Sequence, residues 1–174
     1  MTDVELKKMA QFYLNKLFYG IPEIPVHFAS MTSTELGDFE VRPGESYDSD
    51  DDLMYNTPGY RNISLNFGYG IHYYESGKSW SDPLNKPKLC IKISDRIKWD
   101  KLKVVGILLH ELLHYFCWHY GYDYDDSSED FIRLAKQLNL PFVENVIWDG
   151  EKFIDAFNYE EMKPYYNMFA ASLS

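Results

Sequence analysis

Cysteine is scarce in this chain: its 174 residues include only Cys90 and Cys117. Two thiols cannot build a disulfide framework or close a zinc ribbon, which excludes the small cross-linked secreted folds and points to a reducing compartment. Long apolar runs are also lacking, and nothing approaches the ~20 residues that span a bilayer. Met1–Lys8 is polar and no apolar segment follows, so no secretory leader is expected. An intracellular, cytoplasmic protein without a membrane role is the resulting expectation, and Asn62-Ile63-Ser64 is then a chance sequon. Positive charge is the third shortage. The balance of 17 Lys+Arg against 27 Asp+Glu leaves a net charge of -10, which argues against nucleic acid as a direct high-affinity partner. The cations between Lys86 and Lys103 read as a solvated face.

What is present is enough for a core. Apolar residues make up 45% and aromatics 17%, which excludes intrinsic disorder and suits one domain over residues 1–174. The 15 tyrosines fit partly exposed loops beside a groove for an extended ligand.

Hydrophobic periodicity divides the chain into elements. Asp3 to Phe18 carries Leu6, Met9, Tyr13 and Leu17 at helical spacing, closed by Gly20 and Pro22. Ile24–Ala29, Asp38–Arg42, Arg61–Phe67 and Lys88–Ser94 read as strands, with Val143–Trp148 strand-like near the end. Between them lie a loop over Pro43–Tyr60, with the acidic run Asp48, Asp50, Asp51 and Asp52, and an aperiodic excursion over Gly68–Pro87. The acidic run lacks the glycine and distal glutamate of a calcium loop. A long helix is expected over Lys101–Tyr120, capped by Asp100 and stopped by Gly121. A shorter one follows, capped by Ser127 or Ser128, with Phe131, Leu134, Ala135 and Leu138 as its apolar stripe and Asn139 and Pro141 at its end. After an Asp149-Gly150 turn, a C-terminal helix interrupted near Pro164 completes the order. Helix, strands, helix, helix predicts an α+β fold.

The chemistry lies in His110-Glu111-Leu112-Leu113-His114 on the long helix. At 100° per residue, the two histidines fall about 40° apart on one face, one turn separated, as a shared tetrahedral zinc requires. Glu111 flanks the same edge, where a carboxylate can deprotonate a zinc-bound water and pass the proton to a leaving amine. The helix is apolar nearly all round, so it should be buried. Two imidazoles and a carboxylate in such a place need partners, and a metal supplies them at once.

A catalytic zinc needs a third ligand and an open position. The metzincin spacing asks for glycine at 117 and histidine at 120, where the chain has Cys117 and Tyr120. For a later glutamate, Glu129 is close and Glu144 distant. The remaining source is the cluster Asp123-Tyr124-Asp125-Asp126-Ser127-Ser128-Glu129-Asp130, which a helix hairpin would return beside His114.

The run from Lys88 through Leu140 resembles the SprT-like zinc metallopeptidases, the SprT and Spartan protease-domain group. A strand (Lys88-Leu89-Cys90-Ile91-Lys92-Ile93) precedes the HExxH helix, a tyrosine-rich link follows, and a short helix carries Phe131 ahead of Leu134-Ala135-Lys136-Gln137-Leu138. The likeness extends less specifically over residues 3–140, leaves 141–174 as a C-terminal extension, and lacks the family's cysteine-bearing zinc ribbon. It implies a zincin-like single domain in which a small mixed or antiparallel sheet packs on a central HExxH helix. It also implies one catalytic zinc ion, a protein or peptide substrate, and a third ligand a few residues before Phe131. Family members place a histidine there; here the matching positions are Asp126 and Ser127, with Asp125 and Glu129 as reserves. The resemblance therefore assigns His110, His114 and Asp126 to the metal and Glu111 to catalysis.

The other candidates carry plainer readings. His119 lies half a turn from His110, which excludes it from the same metal and leaves it a surface or packing residue. Cys117 continues the His110/His114 stripe and reads as a buried apolar thiol, while His27 and His72 read as structural. Tyr120, Tyr122 and Tyr124 are near enough to supply a phenol to an oxyanion. The function expected is peptide-bond hydrolysis. Its rival is a zinc-binding interaction module without catalysis, such as a phage or mobile element would carry.

Overall fold

Thr2 opens the first helix with a capping box: its hydroxyl accepts from the Glu5 N–H, and the Glu5 carboxylate accepts from the Thr2 N–H. This helix, α1 (Asp3–Lys16), appears in a computed structural model that describes residues 1–32, 35–42, 73–75, 78–80, 87–126, 128–138, 140, 147–148, 153–154 and 159–174. Leu6, Met9, Ala10, Tyr13 and Leu14 form its buried face, following the apolar spacing. Its first turn also fixes the sheet, since Asp3 Oδ1 accepts from the Phe28 N–H at 2.8 Å.

Three strands make the main sheet: β1 (Val26–Ala29), β2 (Gly37–Arg42) and β5 (Lys88–Ser94). Their order is β1-β5-β2, with β5 central, parallel to β1 and antiparallel to β2. Ile91 and Ile93 of β5 are fully buried. Within the expected aperiodic excursion, β3 (Tyr73–Glu75) and β4 (Lys78–Trp80) pair as a short antiparallel ribbon. Ile147–Trp148 (β6) pairs with Phe153–Ile154 (β7). The strand expected over 61–67, the acidic run at 48–52, the Asp149-Gly150 turn, and His72, Ser127, Asn139, Pro141 and Glu144 lie outside the described residues.

A short 3-10 turn, Asp95–Ile97, leads into the central helix α2 (Lys101–Tyr120). Asp100 caps it by accepting from the Lys103 N–H, and Gly121 stops it in the left-handed region at φ 79°. There the amides of Gly121 and Tyr122 return to the carbonyls of Trp118 and Cys117. Of its 20 residues, 13 are buried, so the helix is enclosed rather than half-solvated. It packs on β2 and β5, on α1, and on the two later helices α3 (Glu129–Gln137) and α4 (Tyr159–Ser172). The architecture is mixed α+β, with four helices and a three-stranded mixed sheet among the described residues.

The C-terminal helix departs from expectation. Pro164 does not interrupt it: α4 runs unbroken from Tyr159 to Ser172 with the proline inside. Tertiary packing holds it, because Met162 and Phe169 are buried and the Tyr165 carbonyl accepts from the Tyr13 hydroxyl at 2.7 Å. Tyr159 adds a hydroxyl bond to the Asp100 carboxylate. Such packing outweighs the one backbone bond that proline forfeits.

Candidate metal centre

The return from α2 into α3 decides the site. After Gly121 turns the chain, Asp123, Asp125 and Ser128 hold the turn through their own polar groups. The Asp125 N–H donates to Asp123 Oδ1, the Ser128 N–H to the Asp125 carbonyl, and the Ser128 hydroxyl to the Asp123 carbonyl. Ser128, one of the two expected caps, then accepts from the Phe131 N–H and starts α3. This knot lays Asp126 across the helix face that carries the histidines.

Three donor atoms converge there. Nε2 of His110 and Nε2 of His114 are 3.0 Å apart, and Asp126 Oδ1 lies 2.9 Å from the first and 2.7 Å from the second. Glu111 stands beside them, its carboxylate within 4.8 Å of the two imidazole donors. The histidine side chains are 17% and 12% exposed, Glu111 is 5% exposed, and Asp126 is 70% exposed at the mouth.

The tautomer of His114 follows from its other nitrogen. Nδ1 faces the backbone carbonyl of Tyr124, which can only accept, so Nδ1 carries the hydrogen. In the neutral ring Nε2 is then a bare lone pair, and it points at a second imidazole nitrogen and a carboxylate oxygen. Atoms at such distances are held together either by a hydrogen carried on His110 Nε2 or by a metal ion between them. A carbonyl orienting the far nitrogen of a ligating histidine is the usual outer support of a metal site. The edges of the donor triangle also fit: ligands of a tetrahedral zinc lie roughly 3.3 Å apart, only a few tenths of an ångström wider.

Aromatic rings fix the imidazoles in place. Phe131, fully enclosed on α3, stacks on the His114 ring with centroids 4.4 Å apart and 26° between planes. It meets His110 edge-on at 5.1 Å. Electrostatics complete the picture. Burial pushes the Glu111 carboxyl pKa upward, with His110 and His114 pulling the other way. The bonds from His110 and His114 hold Asp126 well below the usual carboxylate range. Burial alone lowers the His114 pKa, but Asp126, Glu111 and the Tyr124 carbonyl outweigh it and raise the value.

A cleft of about 730 Å³ opens over these groups. One wall is Glu35–Phe39, the approach to β2 and its first residues, and the opposite wall is Asp123–Asp126. Strand β2 lies at the edge of its sheet and, among the described residues, pairs only with β5. Gly37 lets that wall approach: a Cβ there would stand 2.5 Å from Ile107 Cγ2 and 2.7 Å from Glu111 Oε1.

All four residues expected at the site are therefore together. The reserves separate: Asp125 lines the cleft without joining the donor triangle, and Glu129 begins α3. His119 is 2% exposed and packs against Tyr115 and Tyr120, so it is a packing residue and not a surface one. Cys117 is fully buried and its thiol is pushed up to about 12 by burial. Of the three tyrosines considered for an oxyanion, only Tyr124 lines the cleft. Tyr120 donates to the Tyr19 carbonyl and Tyr122 lies under Arg133. Sequence reading missed Gly37 and the ring support from Phe131. A lone glycine at the head of the alternating strand, in step with Phe39 and Val41, was the available signal for close approach.

No protein-family model matches the chain, and neither a curated protein nor a solved structure does.

Proposed function

We propose that this chain is a zinc-dependent metallopeptidase in which His110, His114 and Asp126 hold the ion and Glu111 is the general base. The observation that carries the reading is the inward-facing donor triangle next to a buried carboxylate at the floor of an open cleft. Zinc, when bound, supplies a Lewis acid that acidifies water and polarises a carbonyl. Glu111 takes the proton of the attacking water and returns it to the departing amine. Its burial suits that exchange, since it raises the carboxyl pKa above its ordinary value and so makes Glu111 a stronger base. The substrate is an extended segment of protein or peptide, laid along the edge of β2 by backbone hydrogen bonds.

The same features favour a zincin-like arrangement of SprT-like type. Strand β5 enters the HExxH helix, and the returning turn offers a ligand five residues before a phenylalanine that abuts both histidines. The decisive test compares zinc-loaded wild type with Glu111→Gln on a panel of unfolded proteins. Cleavage by the wild type that chelation abolishes and the variant lacks by at least about 10³-fold is the expected result. Equal cleavage by both, or none by either, overturns the peptidase reading and leaves a metal-binding module.

A further inference from the structure

The two walls of the cleft touch through a pair of aromatic rings. Tyr124, on the wall that carries Asp126, meets Phe39 of β2 edge-on, with centroids 6.1 Å apart and 80° between planes. Phe39 is itself seated on α2, against Tyr115 and Trp118 at 5.6 and 6.2 Å. Those two rings are each 2% exposed and stack on one another, and the Tyr115 hydroxyl donates to the Pro22 carbonyl at 3.1 Å. Phe39 is therefore a fixed platform for the ring that leans on it. Tyr124 is also the residue whose carbonyl accepts from His114 Nδ1. That carbonyl belongs to the peptide unit joining Tyr124 to Asp125, and in the same plane the Asp125 N–H donates to Asp123 Oδ1 at 3.2 Å. Because the unit is planar, whatever turns one of its groups turns the other. Asp123 is exposed and its bond is long, so in water it restrains the plane only softly. The ring pair is directional and half-buried, and it holds Tyr124 from the side of the sheet.

We infer that Phe39 is a positioning residue of the metal centre and acts through Tyr124. Strand β2 sets the aim of the carbonyl that orients His114, and with it the direction in which His114 Nε2 meets the ion. This rests on the metal half of the proposed function and not on its catalysis. The effect needs no contact between Phe39 and either imidazole. An imidazole left free to turn has to be ordered when the ion binds, and that ordering weakens binding; a carbonyl already in place removes the cost.

The test measures zinc affinity of the full chain by chelator competition. Phe39→Leu keeps an apolar side chain on Tyr115 and Trp118 but removes the ring that Tyr124 meets, so affinity should fall about tenfold and the visible spectrum of the cobalt-substituted protein should change. Tyr124→Leu should do the same and Tyr124→Phe should not. The double variant Phe39→Leu with Tyr124→Leu should lose no more than either single one, because both cut the same link. Phe169→Leu is the control for mere loss of packing. Phe169 is 5% exposed, packs on Phe12 and Tyr13 and does not line the cleft, so this variant should lower the melting temperature and leave zinc affinity and the cobalt spectrum unchanged. If Phe39→Leu does not fold, Tyr124→Leu against Tyr124→Phe decides alone. Undiminished zinc affinity in the leucine variants overturns the inference, as do additive losses in the double variant or an equal loss in Phe169→Leu; each of these leaves the metal reading standing. A wild type that takes up no zinc overturns the metal reading, and the inference with it.

Discussion

Gly37→Ala is the substitution whose outcome depends most sharply on the packing of β2 against α2. The added Cβ meets Ile107 Cγ2 at 2.5 Å, Glu111 Oε1 at 2.7 Å and Glu111 Cγ at 2.9 Å. Carbon pairs prefer roughly 3.5–4.0 Å, so about 1 Å of overlap has to be relieved. Rotating the Glu111 carboxylate does not suffice, because Ile107 Cγ2 and Glu111 Cγ sit close to the backbone of an enclosed helix. The strand must lift, at a cost of about 1–3 kcal/mol, as in other overpacked cores. For a chain of this length that is a loss of roughly 3–10 °C in melting temperature. The sign is the discriminating feature, since glycine to alanine on an unstrained backbone ordinarily stabilises by about 0.4–1 kcal/mol. Differential scanning calorimetry on the zinc-loaded full chain reads the shift. In an Ile107→Ala background the same substitution should cost less, because the closest clash is gone. Moving Glu111 by about 1 Å should also lower kcat/KM by up to ~10²-fold with zinc retained. A variant as stable as wild type, with undiminished activity, would refute the close approach of strand and helix.

Other expectations concern the donors and their support. Asp126→Asn should weaken zinc binding by about 10²-fold or more in chelator competition, because it removes the anionic ligand; an unchanged affinity would show that another group completes the site. Phe131→Leu should keep the helix but loosen both imidazoles, lowering zinc affinity by about tenfold and altering the visible spectrum of the cobalt-substituted protein; an unaltered spectrum would remove the ring from the account. The metal-free protein should lose stability as pH rises above the unfolded pKa values of His114 and Glu111. Both have raised pKa values in the fold, so each contributes below its unfolded value, about 6.5 and 4.5, and that contribution is lost as pH rises through the folded one. Zinc should remove the decline, because it replaces the proton; a flat metal-free profile of melting temperature against pH would contradict this.

How much of this was legible in the sequence follows from what is local. The bounds of α2 were readable because Asp100 and Gly121 act within one turn of the helix they close. His110, Glu111 and His114 were placed by the helical repeat alone. Asp126 was not, since nothing in the spacing separates it from Asp125 or Glu129. Its position depends on how Ser128, Asp123 and Asp125 fold the turn, and only a resemblance singled it out. Gly37 and Phe131 act through contacts with residues distant in sequence, which periodicity does not encode. Pro164 misled for the same reason: its local penalty is real, but the packing of Met162 and Phe169 outweighs it.

The zinc content of the purified full chain tests the central claim most directly. After loading and removal of free metal, elemental analysis should find close to one equivalent in wild type and in Glu111→Gln. His114→Ala should hold almost none, and chelation of the wild type should lower its melting temperature. Less than about half an equivalent in the wild type, with a melting temperature indifferent to chelator, would contradict the account at its root.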